Sequence, residues 1–301
     1  MGAAVAGWVA AAGWVAAAGW VAAAGWVAAA GWVAAAGWVA AAGDCGAAMT
    51  PPVVLTIAGS DSGGGAGIQA DLKTFAALGA YGTSVITAIT AQNTVGVTAV
   101  HPVPIDVVAA QLDAVLADFE VAAVKVGMIG DRAVAELIRE RGSRLANLVV
   151  DPVLVATSGA RLGVAAAVVP LLAYEKSILT PNRAEAAALS GSPVETAADM
   201  ESAAVRLADG GARAVVVTGS ELAVDVLRHD GETTRLRGEP VDTRNNHGSG
   251  CTFSSALAVR LAFGDSVPEA VSAAKKYVTT ALRGGRDWRL GAGPGPLNHF
   301  A

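Results

Sequence analysis

From residue 50 onward, short apolar runs alternate with segments in which apolar residues recur at helical spacing. The runs predict buried strands and the intervening segments predict covering helices. This alternation favours one α/β domain with a mostly parallel sheet between two helical layers. The predicted strands are 53–58, 83–90, 122–127, 147–151, 177–180 and 214–218, followed by an antiparallel hairpin, 223–228 and 232–236. The predicted helices are 67–78, 105–118, 131–141, 163–173, 183–190, 197–209, 249–263 and 267–283.

A repeat precedes this domain. Residues 1–43 contain no charged side chain, and residues 7–42 are six copies of Gly-Trp-Val-Ala-Ala-Ala. The length of the tract would suit a membrane helix. However, basic flanks are missing, the recurring glycine weakens a helix, and the tryptophans fall on three helix faces. A secretory signal would need a basic start and a single short apolar region. We therefore expect residues 1–48 to be a low-complexity extension outside the fold, and residues 49–301 to be the domain.

The composition of the chain excludes some classes of function. The net charge of −5 argues against a nucleic-acid partner, because such proteins usually concentrate Lys and Arg. Two cysteines, Cys45 and Cys251, cannot build a disulfide framework and suit a reducing cytosol. We expect a cytoplasmic protein that is not associated with a membrane.

A glycine cluster follows the first predicted strand, in the segment 58–74. Strand, glycine turn and helix form the usual layout of a ligand site at the carboxyl end of a parallel strand. The glycines do not fit the dinucleotide fingerprint G-x-G-x-x-G, and no P-loop sequence occurs. A dinucleotide-dependent dehydrogenase and a P-loop kinase are therefore disfavoured.

A second glycine-containing segment, 245–252, leads directly into a helix of small residues. Gly248 and Gly250 allow the backbone to bend so that consecutive amides, together with those of Ser249 and Cys251, face one point. The positive end of the helix dipole faces the same point. This arrangement would suit the oxygens of a phosphoryl group during transfer. A glycine loop before a buried helix is the alternative.

Taken together, the segments resemble the bacterial hydroxymethylpyrimidine/phosphomethylpyrimidine kinases of thiamine biosynthesis, in the ribokinase-like superfamily. The resemblance implies the three-layer ribokinase-like fold. It also implies ATP- and Mg²⁺-dependent phosphorylation of 4-amino-5-hydroxymethyl-2-methylpyrimidine and then of its monophosphate to the diphosphate, by a homodimer. The matching segments are 58–74, 79–82, 84–88, 91–94, 125–128, 151–153, 179–186, 247–252 and 295–300.

The resemblance also implies a substrate pocket. Gln92 would bind the pyrimidine, because its amide offers a donor and an acceptor to an aminopyrimidine edge, with a loop glutamine facing solvent as the alternative. Asp71 would accept hydrogen bonds from the substrate, with an exposed helix carboxylate as the alternative. Met128 and Val153 would contact the flat ring, with core packing as the alternative. Gly59 would let the backbone approach the ligand.

For the nucleotide, the resemblance implies roles for Asn182 and Glu185 in organising Mg²⁺ and phosphates through waters. Asp151 would add charge near the metal, and Thr218 and Asn245 would contact the nucleotide. Thr218 stands where many relatives have Lys. Asn182 and Glu185 also fit a capping box at the start of a helix, and both roles can coexist.

Cys251 stands where ribokinase-like kinases generally have Asp as a general base. Two hypotheses remain for it. A thiol at a helix N-terminus can have a lowered pKa and could accept the proton of the substrate hydroxyl. Alternatively, Cys251 shapes the loop and the amides act by themselves.

Two other functions compete with this assignment. Pyridoxal kinase of the same superfamily is the nearest, because pyridoxal is also a flat ring with a hydroxymethyl group. The other is a non-catalytic, membrane-tethered binding protein, which would rest on the tryptophan repeat alone.

Overall fold

The computed structural model describes residues 50–154 and 165–301, so the expected extension 1–48 lies outside the described residues. Nine strands form one sheet in the order β3-β2-β1-β4-β5-β6-β7-β8-β9. Strands β2, β1, β4, β5, β6 and β7 are parallel, whereas β3, β8 and β9 pair antiparallel. The strands are β1 Val53–Asp61, β2 Tyr81–Gln92, β3 Val97–Pro102, β4 Val121–Val126, β5 Leu148–Val150, β6 Ser177–Leu179, β7 Ala214–Val217, β8 Val224–His229 and β9 Glu232–Arg237.

Helices follow most of the parallel strands. They are α1 Gly67–Ala77, α2 Ile105–Asp118, α3 Arg132–Glu140, α4 Ala165–Leu172, α5 Arg183–Ser190, α6 Ala197–Asp209, α7 Ser249–Ala262 and α8 Val267–Gly285. Short 3₁₀ turns lie at Gly142–Arg144 and Ser220–Leu222. The predicted α/β fold is confirmed, and most predicted elements agree with these bounds to within a few residues. The first residues of the helix expected at 163–173 lie outside the described residues.

The two faces of the sheet explain the three layers. In β1, Leu55 and Ile57 pack on one side with residues of α2, α3, α4, α5 and α6. Val54 points to the other side, where it packs with residues of α1, α7 and α8. Because successive side chains of a strand alternate between faces, each apolar strand supplies both cores.

One strand was not predicted. Edge strand β3 pairs antiparallel with β2, and five of its six residues are exposed. A strand without a buried face lacks the apolar pattern by which strands are recognised, and its last residue is a proline. By contrast, the hairpin β8–β9 is confirmed. Asp230 (φ 47°) and Gly231 (φ 79°) form its turn, with the positive φ values that tight hairpins require.

The parallel strands bring the predicted site residues together. Their carboxyl ends lie at one edge of the sheet, where ligands bind in open α/β folds. Asp61 and Gln92 end β1 and β2, Met128 follows β4, and Asp151 follows β5.

Among the described residues, no helix is long and apolar enough to cross a membrane.

Candidate active site

A cavity of about 900 Å³ lies at the carboxyl ends of the strands. It is lined by most of the residues predicted from the sequence, with Asp71 and Asn245 as the exceptions. The predicted residues that line it are Gly59, Gln92, Met128, Asp151, Val153, Asn182, Glu185, Thr218, Gly248, Ser249, Gly250 and Cys251. Gln92 and the start of α7 therefore share one cavity, which is the arrangement that substrate recognition beside a phosphoryl site requires.

The loop before α7 depends on a glycine. Gly248 has a φ of 85°, in the left-handed region, and a Cβ there would lie 1.9 Å from the carbonyl oxygen of Gly65. A side chain at this position would separate the two glycine-rich loops. The close approach fixes where the first amides of α7 are directed.

One of the four expected amides is already used. The amide of Ser249 donates to the carbonyl of Asn246 (3.1 Å). In the described part of the chain, the amides of Gly248, Gly250 and Cys251 have no protein acceptor. Three N–H groups and the positive helix end therefore remain for an anion, and the expected role of the Ser249 amide is corrected.

The thiol of Cys251 does not have the lowered pKa that its place at a helix N-terminus suggested. Burial raises its pKa to about 12, and the nearby carboxylates of Asp151 and Asp71 act in the same direction, against the charge of Lys125. Desolvation and the two carboxylates outweigh the charge of Lys125 here. Before substrate binds, the thiol is protonated at neutral pH.

Asp71 lies in the core instead of the cavity. It is fully buried, and Lys125 Nζ lies 2.8 Å and 3.0 Å from its two oxygens. The hydroxyls of Thr56 (2.6 Å) and Ser255 (2.7 Å) also donate to its carboxylate. Both the expected substrate contact and the alternative of an exposed carboxylate are therefore wrong. Asp71 instead holds a buried lysine below the start of α7.

Asn245 also has a structural role instead of the expected nucleotide contact. Its amide nitrogen contacts the carbonyl oxygens of Gly285 (2.8 Å), Arg286 (3.2 Å) and Trp288 (2.8 Å). Its amide oxygen accepts from the backbone of Gly295 (3.1 Å). These contacts occupy the side chain, which ties the loop before α7 to the end of α8 and to the C-terminal segment.

The capping box at α5 is present. Asn182 Oδ1 accepts from the amide of Glu185 (3.0 Å), and Glu185 Oε2 accepts from the amide of Asn182 (2.9 Å). Burial, and then the charge of Asp151, raises the pKa of Glu185 to about 8. Burial raises the pKa of Asp151 to about 6, although Lys125 opposes the shift. These raised pKa values mean that a cation would be needed to keep both carboxylates charged.

Three further predicted residues form the cavity wall. Met128 is buried, and its Cε would lie 3.2 Å from a Cβ placed at Gly59, so the glycine leaves room for the thioether. Val153 is partly buried and lines the same cavity. Thr218 follows β7, where its amide donates to Pro181 (2.9 Å) and its backbone bridges to Asn182. Its hydroxyl supplies no positive charge to this part of the cavity.

Two residues that sequence reasoning did not assign contact Gln92. His247 Nε2 lies 3.4 Å from Gln92 Nε2 and 3.0 Å from Asp61 Oδ2. The hydroxyl of Thr90 lies 3.2 Å from Gln92 Oε1. His247 belongs to the glycine segment read from the sequence, and Asp61 to the first glycine cluster. The position of His247 and Asp61 next to glycines was the signal that could have identified them. The sequence does not show that these two residues, 186 positions apart, pair with each other.

The far end of the cavity is apolar and contains an ion pair. Val241, Val278 and Leu282 line it, together with Lys275 and Asp225, whose Nζ and Oδ2 lie 2.6 Å apart. Asp225 also accepts from the amide of Gly219 (3.0 Å). The shape and chemistry suit a flat base and ribose bound away from Gln92.

Solved structures with this fold include small-molecule kinases. An ADP complex of Bacillus subtilis pyridoxal kinase is 38% identical, with a TM-score of 0.73 over 83% of this chain and 97% of that one. Phosphomethylpyrimidine kinase from Clostridium difficile 630 is 39% identical, with a TM-score of 0.67 over 77% of this chain and 99% of that one. The class is therefore that of the ribokinase-like small-molecule kinases, as expected.

Sequence comparisons identify the family within this class. Residues 61–298 match the phosphomethylpyrimidine kinase family. A hydroxymethylpyrimidine/phosphomethylpyrimidine kinase of Rhizobium meliloti is 50% identical over 82% of this chain and 97% of that protein. The chain belongs to the phosphomethylpyrimidine kinase family, which confirms the resemblance and the kinase activity expected from the sequence.

Proposed function

We propose that this kinase transfers the γ-phosphoryl group of ATP to 4-amino-5-hydroxymethyl-2-methylpyrimidine and then to its monophosphate, as a step of thiamine biosynthesis. The observation that carries the proposal is the shared cavity. Gln92 lies in the same cavity as the three available amides of Gly248, Gly250 and Cys251. A hydroxymethyl group on a ring held by Gln92 would then face the position where those amides bind the transferred group.

Different residues of the chain have different roles in the proposed reaction. The amides at the start of α7 bind the oxygens of the transferred group, over which the negative charge of that group is spread in the transition state. Met128 and Val153 line the substrate end of the cavity and suit a flat apolar ring. Lys125, buried beneath the loop, offsets the charges of Asp71 and Asp151. Cys251 is protonated before the substrate binds, so positioning by the backbone is the contribution that the structure supports.

Mg²⁺ fits the carboxylates of Asp151 and Glu185, because it prefers oxygen ligands and retains several waters. When bound, it would neutralise phosphate charge. Neither residue belongs to a group of three or more His, Cys, Asp or Glu side chains, since no such potential metal cluster occurs among residues 50–154 and 165–301. We propose that Asp151 and Glu185 hold the ion largely through water, with Asn182 keeping Glu185 in place.

ADP release should be measured in parallel with the pyrimidine alcohol, its monophosphate and pyridoxal. We expect the first two to give higher kcat/KM than pyridoxal. Pyridoxal is the second candidate, because a pyridoxal kinase of Bacillus subtilis shares the fold at 38% identity. A higher kcat/KM for pyridoxal than for both pyrimidines would replace the proposal with that activity.

The role of Gln92 has its own test. The Gln92→Ala variant should raise KM for the pyrimidine about tenfold or more, because both hydrogen bonds to the ring are lost. KM for ATP should stay within about twofold, since the nucleotide end of the cavity is separate. An equal increase of both KM values would overturn the assignment of Gln92.

We also propose that the kinase is a cytoplasmic homodimer. Strand β3 is an edge of the sheet, and Val100 on it and Val95 just before it are exposed. An open edge with apolar side chains favours association with a second copy. Sedimentation should give a dimer that the Val100→Lys variant weakens. A monomeric wild type at micromolar concentration would contradict this proposal.

A further inference from the structure

His247 meets a buried carboxylate. Asp61 is 3% exposed, and its Oδ2 lies 3.0 Å from His247 Nε2. The amides of Gly63 (2.8 Å), Gly65 (3.1 Å) and Ala66 (2.9 Å) also donate to this carboxylate. Burial acts to raise the pKa of Asp61, but the hydrogen bonds from His247 and the amides outweigh it and lower that pKa. A charged carboxylate at this distance requires a proton on His247 Nε2.

On the other side of Gln92, Thr90 presents a hydrogen-bond acceptor to the amide instead of a donor. The Thr90 hydroxyl lies 2.9 Å from the carbonyl oxygen of Ser60, which can only accept, so the single hydroxyl proton is directed there. Toward Gln92, at 3.2 Å, the Thr90 oxygen is then an acceptor.

These two neighbours determine how the Gln92 amide is oriented. The single Nε2 proton of His247 is directed to Asp61, at 3.0 Å, so an N–H of Gln92 next to it would face a donor, whereas the amide oxygen would face a positive hydrogen. The group next to Thr90 must donate a hydrogen bond. Both conditions are met when the amide oxygen faces His247 and the NH₂ faces Thr90. This orientation exchanges the positions of the Gln92 oxygen and nitrogen in the structure, where Nε2 lies next to His247 and Oε1 next to Thr90. The opposite orientation would leave a donor against a donor and an acceptor against an acceptor.

We propose that His247 and Thr90 are positioning residues that fix the direction of the Gln92 amide and thereby make the pocket specific for an aminopyrimidine edge. The inference rests on the proposed function. In the fixed orientation, the free lone pair of the Gln92 oxygen accepts from the exocyclic amine of the substrate. The free N–H of Gln92 donates to the neighbouring ring nitrogen.

The specificity follows from polarity. An analogue with a 4-oxo group in place of the amine has an acceptor where the substrate has a donor, and a ring N–H where the substrate has an acceptor. A fixed amide rejects this edge, because two buried polar groups would face like groups. An amide free to rotate would accept both edges.

The test is the ratio of kcat/KM for the pyrimidine alcohol to that for its 4-oxo analogue. We expect Thr90→Val to lower this ratio about tenfold or more, because the amide loses one of its two fixed neighbours. Thr90→Ser keeps the hydroxyl and should restore the wild-type ratio. Thr98→Val is the matched control, since the Thr98 hydroxyl donates to the carbonyl of Ala91 (3.1 Å) and does not contact the Gln92 amide.

His247 provides a second, independent pair of variants. His247→Gln can place an N–H near the position of Nε2 and should keep the ratio above that of His247→Leu, which cannot. Because His247 adjoins the loop that binds the phosphoryl group, any loss of kcat there affects both substrates and cancels in the ratio.

The possible results distinguish a failure of this inference from a failure of the proposed function. A wild-type enzyme that phosphorylates the alcohol, with ratios unchanged in Thr90→Val and in His247→Leu, would overturn the inference alone. A wild-type enzyme that releases no ADP with the alcohol would overturn the proposed function. If Thr90→Val does not fold, the His247 pair decides between the two results.

Discussion

Burial determines the charge of single side chains in this site more than their place in a motif. Cys251 stands at the positive end of α7, yet desolvation raises the pKa of its thiol to about 12. Asp71 and Lys125 are both fully buried, and each is stabilised by the other. Removing one partner of such a pair leaves an uncompensated buried charge.

The state of the Cys251 thiol can be measured in the free enzyme. We predict that the ultraviolet absorbance of its thiolate, taken as wild type minus Cys251→Ser, appears only above pH 9.0, the ordinary value. The difference spectrum removes the contribution of Cys45. A thiolate signal that titrates near neutral pH would show that Cys251 is an activated base after all.

Single residues also show where sequence reasoning ends. Gln92 was assigned from the family resemblance, and it stands at the carboxyl end of β2, the edge where parallel sheets bind ligands. Asp71 was assigned wrongly because its helix position does not reveal that Lys125, 54 residues further along, is its partner. Asn245 was assigned wrongly for the same reason, since its partners lie 40 to 50 residues away. The local sequence around a residue does not show which distant residue will be its partner in the fold.

At the level of elements, two glycine-rich loops and one helix start form the phosphoryl site. We predict that Gly248→Ala lowers kcat about 10²-fold, because a Cβ 1.9 Å from Gly65 O would displace the amides of α7. Gly264→Ala is the matched control. Gly264 also has a positive φ (93°), so its strain is of the same kind, roughly 1–2 kcal/mol, but nothing lies within 4 Å of its Cβ position.

The two glycine variants are informative as a pair. Gly264→Ala should lower thermal stability and leave kcat within about twofold, since the end of α7 is far from the strands' carboxyl ends. Equal losses of kcat in both variants would mean that backbone strain alone, without the contact to Gly65, explains the effect.

The C-terminal segment supports the same helix. His299 Nε2 lies 3.1 Å from the hydroxyl of Thr252, which itself donates to the carbonyl of Gly248 (2.8 Å). Tyr277 donates to the carbonyl of His299 (2.6 Å). Burial, and then the charge of Lys73, lowers the pKa of His299 to about 4. His299 is therefore neutral in the folded protein at neutral pH.

This shift predicts a pH dependence of stability. The unfolded chain protonates His299 near its ordinary value of 6.5, and the folded chain near 4, so its contribution is present above pH 6.5 and is lost as the pH falls toward 4. The loss amounts to about 3 kcal/mol. We predict that His299→Gln, which keeps an N–H donor, loses less stability than wild type over this window in urea unfolding. Parallel curves for the two proteins would contradict the prediction.

For the molecule as a whole, the apolar pattern predicted a three-layer fold because each parallel strand is buried on both faces. Edge strand β3 was missed because it is not buried on either face. We propose that the fold begins near Met49. A chain of residues 49–301 is predicted to retain the Tm and kcat/KM of the full chain. Loss of folding or of activity in that chain would show that residues 1–48 contribute to the enzyme.

The most direct measurement follows the backbone amides of α7 by NMR in ¹⁵N-labelled enzyme. The enzyme would be titrated with ADP, Mg²⁺, aluminium fluoride and the pyrimidine alcohol, which imitate a phosphoryl group in transfer. The account predicts large downfield shifts for the amide protons of Gly248, Gly250 and Cys251. The amide of Ser249, already bonded to Asn246, should shift least and serves as the internal control. Unchanged resonances for all four amides in the presence of bound ligands would contradict the central claim.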